Sequence, residues 1–288
     1  WALRVDAEGS LVWEGRYGGA STEEMFELQL TSDGGVILGG ASSSALDPAQ
    51  GKSSPHYGDF DFWILKLDGN GEVVWDRSYG GADLDVIFGL EELADGGFIL
   101  GGASKSGPSG TKTSAGYGLY DLWLVRIDAD GNQVWDRTFG GTERESRGRA
   151  RATSDGGFVI CGDSESGISG NKTTPNYGEH DGWIVKVDGA GNKLWDQTLG
   201  GDEHEWLGAV VEVDDGGIFT VGHSHSGATG NKERESFGST DGWAVMLNAD
   251  GSKRWELAIG GTSSDLLTSV AVTPDGGFLL GGHSRSSI

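Results

Sequence analysis

Two groups of side chains break an otherwise regular sequence, and both are of types that do chemistry. Arg144, Arg147, Arg149 and Arg151 crowd into one short segment. Arg147, Arg149 and Arg151 are spaced by two, which predicts a shared strand face. Guanidinium forks match planar oxyanions, so this is a candidate carboxylate or sulfate site. The other reading is a salt-bridge set for Glu27, Glu91, Glu92 or Glu145. His204, Trp206, His223 and His225 form the second group, beside Asp202, Glu203 and Glu205, with His283 in the column of His223. Two histidines on one face of a strand end, with a carboxylate, suit Zn²⁺; the alternative is exposed loop histidines. No Ser–His–Asp order, nucleotide loop or zinc-protease signature is present.

Other polar residues recur in columns. Glu23, Asp85, Glu145, Glu205 and Asp265 each stand four residues after a Gly pair. If they converge they must be protonated, hydrogen-bonded or neutralised, and oxygen-only ligation suits Ca²⁺. The alternative is that each accepts backbone N–H groups from its own Gly turn. A second column carries Tyr57, Tyr117, Tyr177 and Phe237 with Ser, Lys and Asp at fixed offsets, as in Ser104, Ser106, Lys112 and Asp121. Such loops suit sugar hydroxyls, the aromatic ring serving as a stacking face, and repeated weak sites would give avidity. The competing reading is a long loop that satisfies its own backbone.

The elements that position these residues are repeats. "VWDRSYGG" at Trp75 returns around Trp13, Trp135, Trp195 and Trp255 at spacings of 62, 60, 60 and 60. Trp1, Trp63, Trp123, Trp183 and Trp243 keep the same spacing, and "DGG" recurs at Asp33, Asp95, Asp155, Asp215 and Asp275. Each repeat reads as four short strands: "DLWLVRID" alternates at period two, "ADGN" turns, "QVWDRTF" returns, and "DGG" separates two more. Five such units predict an all-β, five-bladed β-propeller of four antiparallel strands per blade. The chain starts mid-repeat, so residues 1–18 are expected to complete the blade begun by 262–285 in a two-plus-two clasp. Residues 1–288 then form a single domain, a monomer within a longer chain.

Composition narrows the partners. Glycine numbers 53 of 288 residues, against a usual level of about 7%. The net charge is −23, which disfavours phosphate backbones and anionic membranes. No apolar run approaches a membrane span. Cys161 is the single cysteine, excluding an intrachain disulfide.

The strand order "DGGFILGGAS", loop, "DLWLVRIDADGN", "QVWDRTFG" resembles the kelch repeat, which places the segment before "DGG" innermost, although kelch periods are shorter. The composite "DxWxVKLDxxGNxxWDxxxGG…TSDGGFxLGGxSxSGxSGxK", spanning almost the whole chain, resembles tandem propeller repeats of secreted and surface proteins of the Bacteroidota and related bacteria. That resemblance implies an extracellular or cell-surface location and carries no settled activity. The expected function is a non-catalytic binding or display module for carbohydrate or a surface polymer, with Tyr57, Tyr117, Tyr177, Phe237, Arg147, Arg149, Arg151 and Trp206 as ligand contacts. The alternatives are a glycosidase or polysaccharide lyase with its site at the channel mouth, and a structural spacer. Regularity favours the non-catalytic readings, because catalysis needs one site unlike the others.

Overall fold

The computed structural model describes residues 1–287, which contain twenty β-strands and no helix. The chain divides into two compact units: Trp1–Gly116 with Trp123–Arg137, and Tyr117–Leu122 with the chain from Thr138 onward. The first unit opens with the two-stranded sheet β1 (Ala2–Val5) and β2 (Leu11–Gly15). It continues with β3 (Glu23–Leu30), β4 (Val36–Ser42), β5 (Asp61–Leu67) and β6 (Val73–Tyr79), hydrogen-bonded in that order. The next sheet holds β7 (Asp85–Glu92), β8 (Phe98–Ser104), β9 (Asp121–Ile127) and β10 (Gln133–Phe139), the last two shared with the second unit.

The second unit repeats the plan. One sheet is β11 (Glu145–Ala152), β12 (Phe158–Ser164), β13 (Asp181–Val187) and β14 (Lys193–Leu199). The following one is β15 (Glu205–Glu212), β16 (Ile218–Ser224), β17 (Asp241–Leu247) and β18 (Lys253–Ile259). Strands β19 (Asp265–Val272) and β20 (Phe278–Ser284) form a two-stranded sheet. Within each unit the first strand of a sheet packs over the preceding sheet: β7 on β3 to β5, β15 on β11 to β13, β19 on β15 to β17.

The repeated residues account for this geometry. In the "DGG" turn Thr31 N–H bonds Gly35 O at 3.0 Å and Gly34 takes φ +85°, a conformation cheap only for glycine. Lys66 of β5 reaches back to Asp33 of that turn at 2.8 Å, holding its carboxyl well below the usual range. Trp63, Trp123, Trp183 and Trp243 are buried, and the first three donate their indole N–H to Asp76, Asp136 and Asp196 at 3.0–3.1 Å. In the fourth sheet Glu256 replaces the Asp, bonds the backbone N–H groups of Glu233 and Arg234 instead, and leaves Trp243 Nε1 without a partner. The other Trp series staples neighbouring repeats: Trp75 Nε1 donates to Ala129 O at 3.1 Å and Trp195 Nε1 to Ala249 O at 3.0 Å. Apolar cores fill the space between sheets, Ile37, Phe62 and Ile64 against Ile87, Leu90 and Phe98 in one case.

Strand β1 pairs with β2 and β20 with β19, in separate two-stranded sheets, and no sheet is closed. Trp1 is 72% exposed, whereas its four sisters are at most 1% exposed. A ring and an open array of such repeats share one sequence pattern, because each repeat packs mainly on its neighbours.

Candidate functional site

The acidic column is occupied locally. Asp85 accepts Gly81 N–H at 2.7 Å and Ser106 Oγ at 2.9 Å. Glu145 accepts Gly141 N–H at 2.9 Å and Ser164 Oγ at 2.8 Å. Glu23, Glu205 and Asp265 take the equivalent N–H of Gly19, Gly201 and Gly261 at 2.7–3.2 Å. Each carboxylate thus ties a Gly turn to a neighbouring strand end. Among the described residues no three His, Cys, Asp or Glu gather where they could hold one metal ion.

Beside this column runs a second carboxylate that sequence reading had assigned only to the loops. Asp61, Asp121, Asp181 and Asp241 each accept the backbone N–H of Tyr57, Tyr117, Tyr177 or Phe237 at 2.5–2.8 Å through Oδ2. Asp181 Oδ1 lies 1.9 Å from where a Cβ on Gly200 would stand, and Glu205 Oε2 lies 2.6 Å from the same point. Two buried carboxyls therefore share the space that glycine leaves open. Burial, then the neighbouring Glu205 charge, lifts Asp181 to about 7, and burial lifts Asp61 to about 6.

The loop column is largely structural. Lys52, Lys112 and Lys172 are buried over the rings of Trp63, Trp123 and Trp183, with Nζ 4.9–5.8 Å from the ring centroids. Lys52 also donates to Ser54 and Ser78. Burial pulls Lys172 down to about 8. Tyr57, Tyr117 and Tyr177 each cover a glycine of the next loop, where a Cβ would sit 2.8–3.0 Å from the side chain. Only the outer faces of Tyr117, Tyr177 and Phe237 remain exposed.

What breaks the symmetry collects in one place in the second unit, at the strand ends of β11, β12, β15 and β16. Arg147 does not continue the expected face with Arg149 and Arg151. The ladder shifts register between Ser146 and Arg149, and Arg147 adopts φ +67°, the one non-glycine residue in the left-handed region among those described. Such a conformation costs on the order of 1–3 kcal/mol. The corresponding Ile87 and Leu207 are buried, whereas Arg147 turns outward and lays its guanidinium 4.9 Å from the centroid of Trp206. Arg149 and Arg151 stay on the ladder opposite Cys161 and Val159. Burial pushes the Cys161 thiol up to about 12, so it is an inert core group.

Around this pair stand four histidines. His223 meets Trp206 edge-on at 4.7 Å, His225 lies 6.2 Å from Trp206 and 5.7 Å from His204, and His180 lies 4.8 Å from His204. His223 is buried, its Nε2 has no partner, and burial lowers it to about 4, keeping the ring neutral near pH 7. Asp163 sits beneath: its Oδ2 accepts Ser146 Oγ at 2.8 Å and its Oδ1 lies 3.6 Å from Arg147 Nε. Burial raises its pKa. His180 Nδ1 lies 3.4 Å from Glu165, and His204 Nε2 lies 2.9 Å from Glu179.

The sequence groups around Arg147 and around Trp206, His204, His223 and His225 are therefore one cluster. Asp163 and His180 were missed, although a signal existed. Asp163 stands in a column with Ala41, Ala103, His223 and His283, and His180 in one with Phe60, Tyr120 and Thr240.

The fold places the chain among all-β repeat proteins built from four-stranded antiparallel sheets, an architecture consistent with a β-propeller. No protein-family profile matches it. Regulatory protein FlaEY of Caulobacter vibrioides is 24% identical over 243 residues, covering 78% of this chain and 25% of that protein. The chain thus spans about a quarter of that relative's length. A Dyadobacter fermentans protein of unknown function is similar with a TM-score of 0.47 at 14% identity, over 95% of this chain and 78% of the other. A Bacteroides caccae protein of unknown function gives 0.43 at 11%, over 88% and 73%. Hydrazine synthase of Kuenenia stuttgartiensis gives 0.45 at 10%, over 92% and 75%.

Proposed function

We propose that this chain is a non-catalytic binding or display module of a longer extracellular or surface protein, with a carbohydrate or surface polymer as ligand. One observation carries the reading. The polar residues repeated in every unit are engaged in holding the sheets, while Arg147, Asp163, His180, His204, Trp206, His223 and His225 converge at one seam. A half-buried Trp beside Arg and His offers an apolar face with polar groups next to it, a combination suited to a polyhydroxylated ring. The exposed faces of Tyr117, Tyr177 and Phe237 would add weaker, repeated contacts along a polymer. The Caulobacter relative is named a regulatory protein, a role to which a ligand-sensing module could contribute. We read the five repeats as a five-bladed propeller whose two terminal half-sheets complement each other, a reading supported by their strand types: β19 and β20 match first and second strands, β1 and β2 third and fourth.

A second reading is favoured by Asp163, a buried carboxyl with a raised pKa between Arg147 and His180, which suits acid–base work on a glycan. A glycan array separates the possibilities. Retention of a saccharide that is lost on Trp206→Ala, with no product formed on prolonged incubation, supports the binding module. Turnover abolished by Asp163→Asn would replace it with an enzyme, and no retention of any glycan would remove both.

A further inference from the structure

We propose that the Arg147–Trp206 seat takes the carboxylate of a uronic-acid-bearing saccharide, an inference that rests on the carbohydrate-binding reading and names its ligand class. Arg147 has its side chain 53% exposed, and its contacts among the described residues are the Trp206 face and the long 3.6 Å approach to Asp163. Its Nε is ion-paired with Asp163 at 3.6 Å, and no hydrogen bond of its guanidinium is made within those residues, so the rest of a planar five-donor group is left for a ligand. Its orientation is built rather than incidental. The backbone is held left-handed at the bulge, the Trp206 ring lies beneath the guanidinium at 4.9 Å, and Asp163, itself bonded by Ser146, holds the Nε side. A planar fork prefers a planar, bidentate acceptor, which a carboxylate offers and a hydroxyl does not.

The same seat has groups for a sugar ring. His223 is 7% exposed, its buried Nε2 has no hydrogen-bond partner among the described residues, and its ring lies 4.7 Å from Trp206, with His225 6.2 Å from the same ring. The pyranose would pack beside the Arg147–Trp206 pair with its carboxylate on the guanidinium.

The test is calorimetric titration with a galacturonate trisaccharide, its methyl ester, its neutral galactose counterpart and a sulfated galactose trisaccharide. The short ligands keep the −23 net charge of the protein from dominating the readout. The acid is expected to bind at least about tenfold tighter than the ester, the value of one charged hydrogen-bonded pair. Arg147→Gly removes the fork while retaining a residue at ease with φ +67°. It should lose that preference with a melting temperature no lower than wild type. Equal affinity for acid and ester, an unchanged preference in Arg147→Gly, or a preference for the sulfated ligand would overturn the carboxylate assignment while leaving a glycan-binding module. Binding of none of the four, together with an empty glycan array, would instead overturn the underlying reading.

Discussion

Asp181 provides a prediction whose size can be worked from the structure. Its folded pKa of about 7 stands above the ordinary 3.8, because burial and Glu205 both disfavour the charged form. The folded protein therefore binds this proton more tightly than the unfolded chain, and its contribution to stability falls as pH rises from 3.8 through 7. Linkage at about 1.4 kcal/mol per pH step gives a loss of roughly 2.5–3 kcal/mol between pH 5 and pH 8. Other groups titrate in that window. Asp61, raised to about 6, acts in the same sense. His223, lowered to about 4, opposes it, since its contribution is lost as pH falls below 6.5. Comparing wild type with Asp181→Asn cancels both. Urea unfolding of the two proteins should show the variant gaining on wild type by roughly 2.5–3 kcal/mol from pH 5 to pH 8. A difference that stays constant across the window would show that Asp181 does not sit as a protonated member of a buried pair.

Gly200→Ala should destabilise by at least about 2 kcal/mol, because its Cβ would fall 1.9 Å from Asp181 Oδ1; a wild-type melting temperature would refute the packing. Glu145→Gln should weaken the fold by about 1–2 kcal/mol through the Gly141 and Ser164 bonds, equally with and without calcium. A melting temperature raised by millimolar calcium and insensitive in the variant would make the column a cation site. Trp195→Phe removes the indole bond to Ala249 O and should cost about 1 kcal/mol in chemical denaturation. Deleting residues 1–18 should abolish cooperative unfolding if the half-sheets complete one blade, and a folded monomeric truncation would refute that closure.

Most of the architecture was legible because each repeated residue has one local task. Trp63 with Asp76, Trp75 with the Ala129 carbonyl, and Asp33 with Gly35 and Lys66 each fix a turn or a seam within sixty residues. Four-stranded sheets follow from period-two runs between glycine turns. Closure was not legible, because pairing of β1 with β20 leaves no mark that differs from any other strand type. At the site, the Arg and His groups were visible as departures from the columns, but their meeting was not. Arg147 reaches Trp206 only because the chain bulges at Ser146 and turns left-handed, against the alternation that the spacing implied. Asp163 was hidden because one acidic residue in an acidic chain carries little information, even in a column whose other members are Ala41, Ala103, His223 and His283.

The most direct test of the binding account is a crystal structure of the protein soaked with the saccharide that it retains best on an array. The account predicts sugar density against Trp206 and Arg147, with an acceptor oxygen within hydrogen-bond reach of the guanidinium and of His223 Nε2. Density confined to the Tyr117, Tyr177 and Phe237 loops, with the seam unchanged, would contradict it.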